Sequence, residues 1–448
     1  MAGFHERRDV LAWGRAHHFA HHVARPAFAD ELPALLRGRC GRAVLARGLG
    51  RSYGDSGLNA DNILIDMRGL DHVRAFDAEK GILEAEAGMS LKDILVLCAQ
   101  QGGKWFPPVS PGTKFVTLGG AIANDVHGKN HHGAGCFGNH VLSLALMRSD
   151  GSLHNCTAQE NADLFRATIG GMGLTGLILS ARIALKPVPG PWLESEDIRY
   201  DSLEEFYDLT AQSLNDWEYT VAWIDCLAEG PSLGRGIFSR SRHIAAARPA
   251  LPVEGPRLAL PINFPNFALN RMTLAAFNAL NIRRASRRPA RKLVPFEKVF
   301  YPLDSIGAFN RLYGSRGFYQ YQCVVPPAQE RDAMRALLTE ISRAGAGSFL
   351  AVLKTFGNVP SPGLMSFPMP GTTLALDFAN EGSPTIALLS RLDAITRTAG
   401  GRIYAAKDGR VSAADFQAGY PQWRDFARLV DPGFSSTFWR RVTQGAAA

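Results

Sequence analysis

Three glycine-rich stretches constrain this chain more than any other feature. The first reads Arg47-Gly48-Leu49-Gly50-Arg51-Ser52-Tyr53-Gly54-Asp55, behind a short apolar strand expected over 43–47. The second is Pro111-Gly112-Thr113, then Thr117-Leu118-Gly119-Gly120-Ala121-Ile122-Ala123. The third is Gly170-Gly171-Met172-Gly173-Leu174-Thr175-Gly176. Glycines after a strand let backbone N–H groups turn toward one point, and such a nest binds phosphate oxygens without a cationic side chain. Arg47 or Arg51 would add charge-assisted bonds. The small residues over 117–123 permit close approach of a flat or charged ligand.

A dinucleotide-binding βαβ unit is the obvious rival. Gly48-x-Gly50 follows a strand, and Asp66 ends the next one at the spacing of a ribose-binding acid. Residues 52–62, however, are full of Gly, Asn, Asp and Ser, which disfavour the crossover helix that unit requires. Tyr53 also stands where the third glycine belongs. The G-x-G-x-x-G string over 171–176 leads into an alternating strand, 177–185, not a helix. It reads as a tight turn against a bound cofactor.

The first 190 residues are otherwise strand-like. Strands are expected over 62–67 and 81–87, and Ser90 is placed to cap a helix over 91–101. Pro187, Pro189 and Pro191 mark a boundary. Beyond it, strands are expected over 219–226, 318–325, 348–356, 372–378 and 402–406. Amphipathic helices are expected over 329–344 and from Ser383-Pro384 to Gly400. From 318 onward the order strand, helix, strand, strand, helix, strand is that of a ferredoxin-like α+β unit. The stretch about 227–300 is rich in Pro and Arg and reads as a mobile insertion, and a helical tail follows Lys407.

Beside the second glycine stretch runs Asn124-Asp125-Val126-His127-Gly128-Lys129-Asn130-His131-His132. It supplies donors and proton carriers beside a glycine-walled pocket, the arrangement of a functional site. A metal reading of His127, His131 and His132 lacks a fourth ligand or carboxylate, so no metal is expected. His17-His18-x-x-His21-His22 has helical spacing and reads as a surface helix.

Six scattered cysteines among 448 residues, with no C-x-x-C spacing, argue against a disulfide framework and for a reducing, cytoplasmic setting. No targeting signal or membrane-spanning run is visible. The net charge of +8 is local: Arg283, Arg284, Arg287, Arg288, Arg291 and Lys292 lie within ten residues, and without them the balance falls to 43 cations against 41 anions. The run follows the apolar stretch 266–281, which has Arg271 as its only charge. That pairing suits peripheral contact with a membrane surface, or else a solvated helix face beside a core helix. Without interleaved aromatics, no nucleic-acid partner is expected.

The three stretches, in this order, resemble the FAD-binding domain of the vanillyl-alcohol oxidase (PCMH-type) family. More narrowly, GRSYGD, PGTKFVTLGGAIANDVHGKNHHGAG, FGNH, ATIGGMGLTG, FYQYQ, SFPMPG and YAAKDGR resemble the flavoprotein oxidase subunits of decaprenylphosphoryl-β-D-ribose epimerases, from about residue 40 to 440. The resemblance implies an α+β protein. A two-part FAD-binding domain would span 1–190 and a substrate domain, on an antiparallel sheet with ferredoxin-like order, 191–405. The segment 406–448 would pack back on the FAD domain.

It also implies a reaction: hydride transfer from the ribose C2 of a polyprenylphosphoryl pentose to flavin N5, giving a 2-keto sugar. A separate short-chain dehydrogenase/reductase would complete the epimerisation to arabinose. FAD would lie against Ala46, Arg47, Gly48, Leu49, Gly50, Arg51, Ser52, Tyr53 and Gly54 in the first loop. In the second it would meet Gly112, Thr113, Thr117, Leu118, Gly119, Gly120, Asn124, Asp125, Val126 and His127, with Ile178 and Tyr404 beyond. Lys407 would contact the reacting hydroxyl, beside His127 and Lys129. Trp223, Asn310, Arg311, Gln320, Gln322, Lys354 and Thr373 would line the sugar-phosphate pocket. Tyr53 occupies the position where other members of the wider family attach FAD through a histidine, so non-covalent FAD is expected. Ala375 and Thr373 depart from the cysteine and asparagine of the mycobacterial pattern. The rival substrate is a soluble alditol or sugar lactone. A non-catalytic membrane-surface protein that keeps the fold is disfavoured by His127, Lys129 and Lys407.

Overall fold

The computed structural model describes residues 3–246, 253, 255–256, 258–266 and 269–444. Its N-terminal part starts with a four-stranded sheet in the order His5–Arg7, His21–Ala24, Ile63–Asp66, Val44–Arg47. The last two strands are parallel, with Arg47 beside Asp66. Parallel neighbours usually need a helical crossover. Here residues 48–62 carry only one 3₁₀ turn, Asp55–Gly57, so the glycine-rich crossover stays extended and presents its backbone. His21–Ala24 corrects the surface-helix reading of the histidines: it is a strand, and His21 is fully buried. Helical spacing of the histidines is overridden by sheet pairing, which sets His22 beside Ile63 and Val23 beside Leu64.

A five-stranded antiparallel sheet follows, in the order Val73–Asp77, Ile82–Glu86, Leu177–Ala184, Val141–Met147, Leu153–Cys156. The helix Leu91–Gln100 packs beside it because Leu91, Ile94, Leu95 and Cys98 recur at helical spacing and are buried. Its cap is the expected one, with Ser90 Oγ accepting from Asp93 N at 3.1 Å. Thr117 caps the short helix Leu118–Ala123 in the same way, accepting from Gly120 N at 3.1 Å.

The C-terminal half is built on an eight-stranded antiparallel sheet. Its order is Lys292–Pro295, Trp192–Tyr200, Gly236–Ile244, Tyr219–Ile224, Ala351–Phe356, Gly371–Ala379, Phe318–Val325, Arg402–Ile403. The helices Leu203–Ser213, Glu330–Ala344 and Ser383–Thr398 cover one face, where Phe206, Leu337, Leu353, Leu374 and Leu392 share a buried cluster. The other face is left for the site.

The expected insertion at 227–300 is corrected in part. Gly236–Ile244 is an interior strand between Trp192–Tyr200 and Tyr219–Ile224. Its sequence, GIFSRSRHI, looks irregular because charged side chains stand on the sheet; Arg240 bonds Glu196 at 2.7 Å and Arg242 bonds Glu194 at 2.9 Å across the strand pair. Residues 247–252, 254, 257 and 267–268 of that stretch lie outside the described residues.

The C-terminal helices Ala413–Gly419, Trp423–Ala427 and Thr437–Val442 pack Phe416, Trp423, Phe426, Phe438 and Val442 against Leu45 and Leu64 of the N-terminal sheet and Met172 of the third glycine stretch. Arg441 fastens this return. It bonds Asp55 at 2.7 Å and Asp408 at 2.8 Å, tying the residue after Lys407 to the end of the first glycine loop.

Candidate active site

A cavity of about 1020 Å³ lies where the two glycine loops face the open side of the eight-stranded sheet. Register explains which side chains reach it. Along Gly371–Ala379, Thr373, Ala375 and Asp377 fall two apart and so share a face. Gln322 sits beside Ala375 and Gln320 beside Asp377 on one neighbouring strand. On the other, Lys354 sits beside Thr373, and Val352 pairs with both Ala375 and Trp223. Gln320 and Gln322 are therefore interior and buried, not on the solvent-facing edge their alternation also allowed.

The glycine loops form the opposite wall. Gly50 has φ +64°, a backbone state that favours glycine, and a Cβ on Gly112 would meet nothing within 4 Å. Among the described residues, the backbone N–H groups of Leu49, Gly50, Arg51, Gly112 and Thr113 donate to no protein acceptor. Unpaired N–H groups from two loops on one cavity suit the pyrophosphate of FAD, and the small residues 119–123 leave room for its ring. Ala46, Gly48, Ser52, Tyr53, Thr117, Gly119, Gly120, Asn124, Val126 and Ile178 line the same space. Tyr404 donates to Asn124 O at 2.9 Å and stacks on Phe367 at 4.5 Å.

Four expected residues do not line it. Gly54 lies behind the first loop, packed so closely on Asp408 that a Cβ would overlap the Asp408 carbonyl oxygen. Leu118 is buried in the core of the five-stranded sheet. Asp125 is also buried; it accepts from Ser361, Ser366 and Gly138 N, and burial raises its pKa. Arg311 turns away, donating to Leu260 O at 2.7 Å and Pro261 O at 2.6 Å. Each lies in or beside a segment of the right kind, but tertiary packing turns the Leu118, Asp125 and Arg311 side chains elsewhere and presses Gly54 against Asp408. The two arginines of the first loop line the cavity while serving the fold: Arg47 bonds the Gly57 and Leu11 carbonyls, and Arg51 lies over the Trp13 ring at 4.3 Å.

Four titratable groups converge on the remaining space. Lys354 Nζ is 2.8 Å from His127 Nδ1 and 3.0 Å from Gly128 O. Gln322 lies 3.0 Å from His127 Nε2. Burial, then the Lys354 charge, pushes the His127 pKa well down, so the ring is neutral. Lys354 Nζ thus faces Nδ1 and the Gln322 amide nitrogen faces Nε2, so both ring nitrogens are engaged. Lys354 itself is lowered to about 7 by burial and by Lys129. Lys129 donates to Val299 O and is lowered by burial to about 8.

Lys407 Nζ stands 3.7 Å over the Tyr53 ring. Burial lowers its pKa, and the Asp377 carboxylate opposes part of that fall. Asp377 is raised by burial and held back by hydrogen bonds from Tyr313 (2.7 Å) and Gln320 (2.6 Å) and by Lys407. Asp377 was missed in the sequence, although its two-residue spacing from Thr373 and Ala375 was a usable signal. It stands behind the wall, bonded to Gln320, whereas Trp13 and Asp304 line the cavity itself and had no such signal, since they arrive from distant parts of the chain. Asn310 reaches the cavity while donating to Trp13 O at 3.0 Å, and Trp223 does so while donating to Phe349 O at 2.9 Å.

Known proteins resemble this chain in sequence. The FAD binding domain family matches residues 20–157. Over 97% of its length the chain is 39% identical to decaprenylphosphoryl-β-D-ribose oxidase of Mycolicibacterium smegmatis, covering 97% of that protein. It is 35% identical to an uncharacterized protein of Streptomyces coelicolor, over 75% of this chain and 96% of the other. Cytokinin dehydrogenase 2 of Oryza sativa is 31% identical over 37% of this chain and 31% of that enzyme.

Proposed function

The chain belongs to the family of FAD-dependent oxidases that includes decaprenylphosphoryl-β-D-ribose oxidase, and from that premise we propose that it oxidises the ribose C2 hydroxyl of a polyprenylphosphoryl pentose to the 2-keto sugar. The observation that carries this reading is the convergence of Lys407, Lys354, Lys129 and His127 on one cavity opposite a backbone N–H cradle. FAD, when bound, supplies the hydride acceptor. Lys407 takes up the hydroxyl proton, with its depressed pKa making the neutral amine accessible near neutral pH. Lys354 and Lys129 offer cationic donors to the lipid phosphate, while neutral His127 and Gln322 orient the sugar. The 2-keto product requires reduction from the opposite face, so a short-chain dehydrogenase/reductase is the expected partner at the cytoplasmic face of the membrane.

Anaerobic mixing with substrate tests this. Flavin bleaching is expected with polyprenylphosphoryl ribose and not with free alditols or lactones. Bleaching by the soluble polyols alone would replace the lipid-linked substrate with the soluble class.

Asp377 gives a second test. Its carboxylate raises the Lys407 pKa, so Asp377→Asn should lower that pKa further. The acid limb of the flavin-reduction rate should then move to lower pH. A limb that stays in place would separate Asp377 from Lys407.

FAD is held without a covalent bond in this reading. Tyr53 occupies the loop position, none of the cysteines lines the cavity, and both His127 nitrogens already have partners. Acid precipitation should leave a yellow supernatant and a colourless pellet. For the same reason, with Ala375 on the wall, thiol-directed inhibitors should leave the activity intact. The strand order from 318 to 403 is read as a ferredoxin-like unit, within a substrate domain over 191–405 between an FAD domain, 1–190, and its returning segment, 406–448.

A further inference from the structure

Seven of the twelve large apolar side chains exposed among the described residues fall between 258 and 306. Leu258 is 75% exposed, Ile262 72% and Met272 82%. The helix Arg271–Arg284 explains much of this. It buries a single stripe, Leu274, Asn278 and Ile282, at four-residue spacing. The opposite face carries Met272, Ala276, Ala279 and Leu280, all exposed, and ends in Arg283. A surface helix ordinarily turns charged residues outward, and one that is apolar on both faces needs a second apolar neighbour.

Cations border this face. Of the six in the run, Arg287 pairs with Asp201, and Arg291 with Glu194 and Glu196. Arg283, Arg284, Arg288 and Lys292 have no ion-pair partner among the described residues, and all are exposed. The patch also adjoins the cavity. Phe277 lies 6.2 Å from Trp223 and 4.7 Å from Phe349 in ring contacts, and the strand Leu258–Ala259 pairs with Ile306–Gly307 of the cavity wall.

We propose that the outer face of helix Arg271–Arg284, with the adjoining 258–264 segment and the unpaired cations of 283–292, docks the protein on an anionic lipid surface and brings the cavity beside it. Exposed apolar side chains enter the headgroup boundary, and free cations meet anionic headgroups. Charge complementarity selects a membrane over a second copy of the chain, which would bring the same cations together. The proposal depends on the lipid-linked substrate for its purpose and not for its evidence.

Flotation of the full-length, FAD-loaded protein with vesicles tests it. Binding is expected to phosphatidylglycerol-rich vesicles, weakened by salt, and not to pure phosphatidylcholine. Arg283→Ser/Arg284→Ser/Arg288→Ser should lower partitioning about a hundredfold. Met272→Ser/Leu280→Ser should lower it about tenfold or more. Both variants should still bleach at the parent rate with a short-chain, water-soluble polyprenylphosphoryl ribose, which shows that they fold. No flotation, or flotation unchanged in both variants, overturns the proposal. So does a lipid-free dimer that Met272→Ser/Leu280→Ser dissolves. Vesicle binding without bleaching by any polyprenylphosphoryl pentose would defeat the proposed reaction and leave the docking surface standing. Bleaching without vesicle binding would do the reverse.

Discussion

Lys407→Met should keep its flavin and lose its reaction. A positioned general base is worth about 10²–10⁴ in rate, so flavin reduction under anaerobic single-turnover conditions should slow by that factor. The substitution keeps an unbranched side chain, one atom shorter, and removes the amine that stands over Tyr53. It should leave the fold intact, because Lys407 holds the Asp377 pKa down. Without that cation the buried carboxyl protonates more readily and does not remain as an unpaired charge. Bound FAD, measured by its visible absorbance per protein, should match the parent. A parent-like bleaching rate would remove Lys407 from the reacting hydroxyl. Loss of flavin together with rate would make it a structural residue.

Gly48→Val should abolish FAD retention. The two glycine loops touch at this point: a Cβ on Gly48 would collide with Thr117 Oγ1 and stand 3.0 Å from its Cγ2. Thr117 cannot yield cheaply, because it caps the helix Leu118–Ala123 through Gly120 N. The loops must therefore part, and N–H groups from both lose their common target. We expect the protein to purify colourless, with FAD affinity lowered at least a hundredfold by titration; a loss of about 2.7 kcal/mol corresponds to that factor. Gly57→Ala is the control. Its Cβ would make an ordinary 3.7 Å contact with Ser52, so it should stay yellow. A yellow Gly48→Val protein of parent affinity would show that the loop contact does not shape the cradle.

The glycine stretches were legible because their demand is local. Extended backbone with small residues cannot form a crossover helix, and the structure has none between Val44–Arg47 and Ile63–Asp66. Ser90 was equally legible as a cap, since a cap acts within three residues. The strand Gly236–Ile244 was not, because its charges make sense only opposite Glu194 and Glu196 of a strand more than 40 residues earlier. Arg311 misled for a related reason: a cation near a phosphate pocket is plausible in sequence, but the carbonyls of Leu260 and Pro261 had already claimed it.

Sequence alone determined the glycine-rich loops that wall the cavity and the order of strands and helices after residue 318. Each follows from short-range constraints: backbone freedom, capping and the two- or 3.6-residue period. Tertiary structure alone decided the charge state of the site. Lys407 and Lys354 are ordinary lysines as letters. They become titratable near neutrality only because the sheet face, the second glycine loop and the C-terminal return enclose them together, away from water. The same enclosure sets Asp377 near Lys407 and leaves the outer face of Arg271–Arg284 without a neighbour. Desolvation depends on what surrounds a group in space, and no reading along the chain contains it.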